Sequence, residues 1–385
     1  MAGVMISCGE PSGDLYAGAL ATELRRLQPG IRVTGLGGEH LRAAGADLVG
    51  DYRGLAVTGL VEALRVLPRA WRMRQALVAR ARADRPDALV VIDFPDFNFR
   101  LASKLRRMGV PVVYYICPQV WAWRRGRLRD MKRIVDRALV IFPFEEAIYR
   151  EAGIPVRFVG HPLLDLAVAG MSRKEILAQV GFDPEAPTIA LLPGSRPNEL
   201  HAILPTIGEA LPRIAARLPR VQFLIARAPN LPDDLFEPVA ALARSFRVAT
   251  LDGRADDVLA AADVVITASG TATVQAALHE RPMVIVYRVS PLTYQLGRRF
   301  LNVSTFGMAN LIAGERIVPE LIQDGFTPEA VAAETLRYFD DPAYAARTRD
   351  KLRDVRTALG TAGASRRAAE QVLEVCARSG EAAAT

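Results

Sequence analysis

Apolar residues along this chain cluster in short unbroken runs rather than in long alternating stretches. Val4 to Cys8, Arg32 to Gly35, Ala88 to Ile92, Val112 to Ile116, Ala138 to Phe142 and Val156 to Val159 are each bounded by Gly, Pro or Asp. Strands buried on both faces of a parallel sheet read this way. Helical segments intervene, among them Asp14 to Leu27 and Phe97 to Met108. The alternation predicts a doubly wound sheet. It pauses between Gly160 and Pro187, where a helix near Lys174 to Val180 marks a connection. A second series follows, with strands at Thr188 to Leu192, Val221 to Ala226, Arg247 to Leu251, Val264 to Thr267 and Met283 to Tyr287. From Pro328 the chain reads as helices ending near Arg378.

Length agrees with this division: 385 residues are too many for one ordinary α/β domain and suit two. No apolar run approaches the ~20 residues of a spanning helix. The N-terminus enters a strand at once, so no secretory leader is expected. Cys8, Cys117 and Cys376 stand far apart without metal-ligand spacing and are expected to be reduced thiols. The net charge of +7 favours partners that carry phosphate. Basic strands with interleaved aromatics and helix-turn-helix patterns are missing, which makes nucleic acid the weaker partner.

In doubly wound folds ligands bind beyond the carboxyl ends of the strands, so chemistry is sought in the loops that follow them. The first such loop, Ser7 to Asp14, combines Gly9 and Gly13 with Glu10, and Ser12 is a candidate helix cap. Asp93 directly follows the run Ala88 to Ile92 and is the first candidate for a general base. Asp96 and Asn98, further along DFPDFN, are expected to cap the next helix. Tyr114 to Arg125 offers two tryptophans and two arginines, which suit an amphipathic acceptor pocket or plain aromatic packing. His161 in FVGHPL is either a hydrogen-bonded hinge residue or a cleft group.

The second half repeats the logic. In LLPGSRPNEL, Arg196 stands where a guanidinium can clamp phosphate, and a surface pair with Glu199 is the less favoured alternative. Ser269, Gly270 and Thr271 form a small-residue turn between an apolar strand and a helix, the arrangement that aims backbone N–H groups at a diphosphate. Thr271 and Thr273 offer hydroxyls, and Gln275 can face a ribose. Arg288 and Asn310 are further candidates in the long segment from Tyr287 to Gln323.

Taken in order, SCGEPSGD, DFPDFN, CPQVWAWR, FPFE, FVGHPL, LLPGSRPNEL, SGTATVQ and ANLIAGERIVPELIQ resemble the lipid-A-disaccharide synthase family over nearly the whole chain. The resemblance implies an α/β architecture of GT-B type, with two Rossmann-like doubly wound domains facing a cleft. Residues 1–165 would form an acceptor-side domain with a membrane-facing region. Residues 166–345 would bind the UDP-sugar, and helices in 346–385 would pack back on the N-terminal domain. The implied reaction is inverting transfer from UDP-2,3-diacylglucosamine to 2,3-diacylglucosamine 1-phosphate, giving the disaccharide 1-phosphate and UDP. Asp93 would be the base and Glu10 a second catalytic-site residue. Arg196, Ser269, Gly270, Thr271, Thr273, Gln275 and Asn310 would surround the donor. No metal and no resident cofactor are implied, the UDP-sugar being a substrate.

Three positions depart from the family pattern. Gln275 replaces a usual Glu, Cys117-Pro118-Gln119 a usual Ser-Pro-Ser, and Ala309-Asn310 a usual Pro-Asn. Acylated substrates require access to a bilayer, and the resemblance implies a peripheral enzyme on the inner face of the cytoplasmic membrane of Gram-negative bacteria. Leu64 to Arg82, with six arginines among Leu64, Val66, Leu67, Trp71, Met73 and Leu77, is the candidate contact with anionic lipid. An ordinary amphipathic helix on the sheet is the alternative. Another UDP-sugar GT-B enzyme and a non-catalytic nucleotide- or lipid-binding paralogue stay open as further readings.

Overall fold

The computed structural model describes residues 3–55, 60–121, 126–229, 231–289 and 305–384, without the side chains of 60–65 and 379–384. Thirteen strands are present among them: β1 (Gly3–Ser7), β2 (Arg32–Gly37), β3 (Asp47–Asp51), β4 (Ala88–Ile92), β5 (Val112–Tyr115), β6 (Arg137–Val140), β7 (Val156–Phe158), β8 (Thr188–Leu192), β9 (Gln222–Arg227), β10 (Arg247–Asp252), β11 (Val264–Ala268), β12 (Met283–Tyr287) and β13 (Glu320–Ile322). They form two sheets, ordered β3-β2-β1-β4-β5-β6-β7 and β10-β9-β8-β11-β12-β13. Every recorded pairing is parallel. Both sheets are doubly wound, as the hydrophobic runs predict.

The central runs became strands because both of their faces are covered, whereas β7 and β10 at the sheet edges are only partly buried. β1, β4, β8 and β11 are buried at every residue. In the first unit, Leu77, Val78, Leu101 and Leu105 from flanking helices pack with Leu89, Val91 and Val112 of the sheet. In the second unit, Leu200, Ile203, Ile207 and Leu211 pack with Ile189, Leu191 and Ile225. Burying such a side chain contributes about 1.5–3 kcal/mol. The order of each sheet reverses beside its first strand, between β1 and β4 and between β8 and β11. Those two reversals are the places where a doubly wound sheet opens a crevice at its carboxyl edge.

β3 and β13 are absent from the sequence expectation. β3 (DLVGD) is mostly polar and half exposed, and β13 has three half-buried residues. Both lie at sheet edges without two-sided burial and without an unbroken apolar run to mark them.

The chain divides into two units. One holds the chain up to Pro162 and again from Leu359, and the other runs from Leu163 to Ala358. This moves the expected return of the tail from residue 346 to Leu359. The helix Pro342–Ala358 buries Ala345, Thr348, Leu352 and Val355, and Leu352 and Val355 join a core of the second unit. Only the last helix, Ala364–Ala384, belongs to the first unit. There Arg137 hydrogen-bonds Gln371 at 2.5 Å, and Arg367 donates to the carbonyl of Val159 at 2.8 Å.

The helix Leu60–Asp84 packs part of its apolar face on the sheet, as the ordinary amphipathic reading expects. Leu77, Val78 and Ala81 are buried in the core, while Leu67 and Trp71, one turn apart, are 48% and 54% exposed. Among the described residues no helix is long and apolar enough to cross a membrane.

Candidate active site

At the first reversal, the carboxyl ends of β1 and β4 are tied by one buried amide. Asn98 donates to the carbonyls of Ser7, Ile92 and Asp93 at 3.3, 3.2 and 2.8 Å, and accepts from the Ser7 hydroxyl at 2.7 Å. Asn98 is therefore not the expected helix cap but the knot between two strand ends. Asp96 does not cap either: its carboxylate is paired with Arg127 at 2.5 Å.

Asp93 takes a left-handed backbone with φ of 45°, and Phe94 follows at 47°. Ile116, at the end of β5, does the same at 57°. Such conformations cost non-glycine residues of order 1–3 kcal/mol each and persist only where the surroundings impose them. The imposing contacts are visible. The Asp93 N–H donates to Ile116, and its carbonyl accepts from Asn98 and from the Tyr114 hydroxyl at 2.9 Å. Asp93 is thus held by its backbone, and its half-buried side chain leaves the strand end in a direction set by that turn.

Phe94 explains Gly9. A Cβ at Gly9 would run into the Phe94 ring, so the loop after β1 closes over β4 only with glycine there. Glu10 then occupies the N-cap position of the helix Pro11–Leu27 with extended backbone, a half-buried side chain and no side-chain cap bond, so the expected cap Ser12 lies inside the first turn. Asp14 is buried and accepts the N–H groups of Gly38, His40 and Leu41 at 2.6, 2.9 and 3.2 Å. The glycine turn GLGGE is its counterpart, since a Cβ at Gly38 would sit 2.8 Å from that carboxylate.

His161 is buried, with its ring 6.2 Å from Tyr16 and 5.5 Å from Phe142. Burial lowers its pKa to about 3, so it is neutral at physiological pH. Between these aromatics and β5 lies a group that sequence reasoning passed over as part of a motif. Glu145 is 1% exposed and accepts the indole N–H of Trp121 at 3.1 Å. Burial pushes its carboxyl up to about 7 against the opposing effect of its hydrogen bonds. Trp123, Arg124 and Arg125 lie outside the described residues.

At the second reversal, Gly194 (φ 125°) and Gly270 (φ 141°) shape the turns after β8 and β11. The helix Thr271–Leu278 starts at Gly270, and its first N–H groups have no acceptor within the helix. Arg196 starts the helix Pro197–Arg217 and donates to Glu199 at 2.8 Å, the ion pair that the sequence reading disfavoured. Glu199 also accepts the Ser195 N–H at 3.2 Å, which fixes the turn.

Two expected donor contacts face the protein instead. Thr273 is fully buried and its hydroxyl donates to Gly270 at 2.8 Å. Asn310 is 1% exposed and makes four bonds: it donates to Val318 and Glu320 at 2.9 and 2.7 Å, and accepts from Ile317 and Val318 at 2.8 and 3.0 Å. Glu320 in turn holds the N–H groups of Phe306 and Gly307 at 2.9 Å, and Ser269 donates to the Phe306 carbonyl at 3.0 Å. Asn310 therefore shapes the loop beside the Gly270 turn. Sequence could not separate that role from ligand contact, because both use an amide.

Gln275 donates to Asp256 at 3.3 Å, and His279 shares Asp256 at 3.0 Å. A Glu at 275 would set a second carboxylate against Asp256, so the amide has a local electrostatic reason. Arg288 donates to the Thr206 hydroxyl at 2.9 Å and lies over the Phe326 ring. Among the described residues no group of three or more His, Cys, Asp or Glu side chains could hold a metal ion.

A family model described as lipid-A-disaccharide synthetase matches residues 4–375. The chain is 46% identical to the lipid-A-disaccharide synthase of Geobacter sulfurreducens over 97% of each chain. It is 42% identical to that of Myxococcus xanthus, again over 97% of each. Among solved structures it is similar to the UDP-GlcNAc 2-epimerase of Neisseria meningitidis bound to UDP-GlcNAc, with TM-score 0.69, 14% identity and coverage of 97% and 100%. It is also similar to the calicheamicin glycosyltransferase CalG4, with TM-score 0.62, 18% identity and coverage of 98% and 99%. The structural likenesses carry the GT-B fold alone.

Proposed function

The chain belongs to the lipid-A-disaccharide synthase family, hexosyltransferases of lipid A biosynthesis, and on that premise we propose that it transfers the sugar of UDP-2,3-diacylglucosamine to 2,3-diacylglucosamine 1-phosphate. The observation that carries this reading is Asp93, a carboxylate anchored in left-handed backbone at the sheet reversal. The acceptor hydroxyl attacks the anomeric carbon as the bond to the diphosphate breaks. Asp93 receives the hydroxyl proton, and UDP leaves with inverted configuration at the sugar. The charge that builds on the diphosphate is met by the N–H groups at Gly270 and Thr271, the dipole of helix Thr271–Leu278 and the Arg196 guanidinium. Ser269, Thr273 and Asn310 hold that turn, Gln275 stands on the same helix toward the nucleoside, and Glu10 contacts the acceptor. The step calls for no resident cofactor.

Both substrates carry acyl chains, so the enzyme works as a peripheral protein on the inner face of the cytoplasmic membrane. Leu67 and Trp71, exposed on the arginine-rich helix Leu60–Asp84, supply the apolar contact. The test is UDP release and disaccharide formation from the two substrates, with Asp93→Ala alongside. Product from wild type and near loss in the variant supports the assignment. Folded, UDP-binding wild type that forms no product overturns it.

A further inference from the structure

At the end of β11 away from the Gly270 turn, the second unit holds a cleft of about 620 Å³, a size that suits small ligands. It borders Pro187, just before β8, and Asp263, just before β11. Arg173, Lys174 and Arg349 supply its cations, and the reaction described above uses none of them.

Arg173 is committed to the fold. It holds Asp263 through two nitrogens, each at 3.1 Å, and donates to the carbonyls of Pro184, Ala186 and Ala261. Asp263 also accepts the Thr188 N–H at 2.8 Å, so this carboxylate is matched within the unit. Lys174 and Arg349 differ. Among the described residues neither has a hydrogen-bond or ion-pair partner, although Arg349 is half-buried. Glu185, the other carboxylate on the described walls, is exposed.

Arg281 adds to the positive charge, being close enough to Arg173 and Arg349 to feel both. Its Nη2 donates to Ala260 at 3.1 Å, while its Nε is buried without a partner. Burial holds its pKa below the usual guanidinium value; Asp263 offsets this, and Arg173 and Arg349 deepen it. Four cations thus crowd two carboxylates, one of which is already paired with Arg173. A half-buried guanidinium that has lost water without gaining a partner is stabilised by an anion.

We propose that this cleft binds a multiply charged phosphate anion, gripped by Lys174 and Arg349. A guanidinium forks two phosphate oxygens and an ammonium meets a third as a point charge. A single carboxylate would leave one of the two free cations unmet. The phosphate belongs to a free ester or diphosphate, or to the headgroup of an anionic lipid. The site is separate from the Gly270 turn and does not depend on the proposed reaction.

The test is calorimetric titration of inorganic pyrophosphate into the full-length chain at constant ionic strength, beside Lys174→Gln/Arg349→Gln and Arg196→Gln. Saturable binding is expected in wild type, with affinity lower by about tenfold in the double variant and a component that survives Arg196→Gln. Neither side chain has a partner to lose, so the double variant should melt as wild type does. Lys174→Gln alone, at an exposed position, should give a smaller loss in the same direction. Arg244→Gln/Arg347→Gln removes the same charge outside the cleft walls and should bind as wild type does. Vesicles of phosphatidylcholine with and without phosphatidylglycerol separate the two sources. Co-sedimentation that needs phosphatidylglycerol and falls only in the cleft variant, without pyrophosphate binding, assigns the cleft to a lipid headgroup. Pyrophosphate binding that is unchanged in the cleft variant, equally weakened in the control variant or abolished by Arg196→Gln overturns the inference. A protein that binds neither probe overturns it as well.

Discussion

The backbone N–H of Asp93 donates to the carbonyl of Ile116 at 3.3 Å, joining two residues that both hold left-handed backbone at neighbouring strand ends. β4 and β5 are paired up to Ile92 and Tyr115, and the turn begins at the next residue of each. The strand ladder thus runs without a break into the turn that carries the candidate base.

Replacing Asp93 separates its backbone role from its carboxylate. Asn tolerates left-handed backbone better than Ala does. Asp93→Asn is expected to unfold within ~1 kcal/mol of wild type, and Asp93→Ala to lose about 1 kcal/mol more. Turnover is expected to fall by ~10²-fold or more in both. Urea unfolding beside a UDP-release assay reads the two effects, and unequal loss of turnover at equal stability would contradict the pairing.

Gly9→Ala tests the closure of the first loop on Phe94. The added Cβ meets the ring, which is itself stacked on Phe97 at 5.3 Å and cannot swing freely. A loss of about 1–3 kcal/mol is expected from overpacking. The double variant with Phe94→Leu should recover part of it, and a cycle with no coupling would show that the ring is not the obstacle.

Asn310→Ala removes four bonds inside a buried loop. A loss of about 2–4 kcal/mol is expected, since each unsatisfied buried group costs ~1–3 kcal/mol. UDP affinity should fall with it, because Glu320 and Ser269 hold the adjoining Phe306–Gly307 turn. Calorimetric titration with UDP at a temperature where the variant is folded checks this, and unchanged affinity would detach the loop from the donor.

Gln275→Glu places a carboxylate against Asp256. The variant is expected to be less stable than wild type by about 1 kcal/mol at low salt and to regain part of that in 1 M salt, which screens the like charges. Thermal unfolding at the two salt concentrations decides, and a salt-independent difference would remove the electrostatic account.

His161 contributes a pH dependence of definite sign. Burial depresses its pKa from 6.5 to about 3 in the folded chain. Below about pH 6.5 the unfolded chain binds a proton that the folded chain refuses, so stability falls as pH drops through that window. At pH 5 the loss is about 2 kcal/mol. His161→Gln should lack it, as seen in urea unfolding at pH 7.5 and 5, and an identical acid slope in the variant would exclude His161 as the source.

The central strands were legible in the chain because burial on two faces leaves unbroken apolar runs. The loops after those runs could be located by order alone. What those loops do with each side chain was less legible. Asn98 and Asn310 look like caps or ligand contacts in one dimension, and both turn out to be buried knots whose partners lie up to 91 residues away. Arg196 finds Glu199 three residues on, a pairing that i,i+3 spacing allowed but did not require. Glu145 was visible only as part of a motif, because sequence carries no record of burial.

The sequence by itself determined the two α/β units, the parallel winding of each and the family, since hydrophobic run lengths and ordered motifs are local properties. Tertiary structure alone decided the left-handed turn at Asp93, the closure of Gly9 on Phe94, the enclosure of Glu145 and the change of unit at Leu359. Each of these arises where residues distant along the chain compete for the same space or the same proton, and such competition exists only once the sheets have assembled.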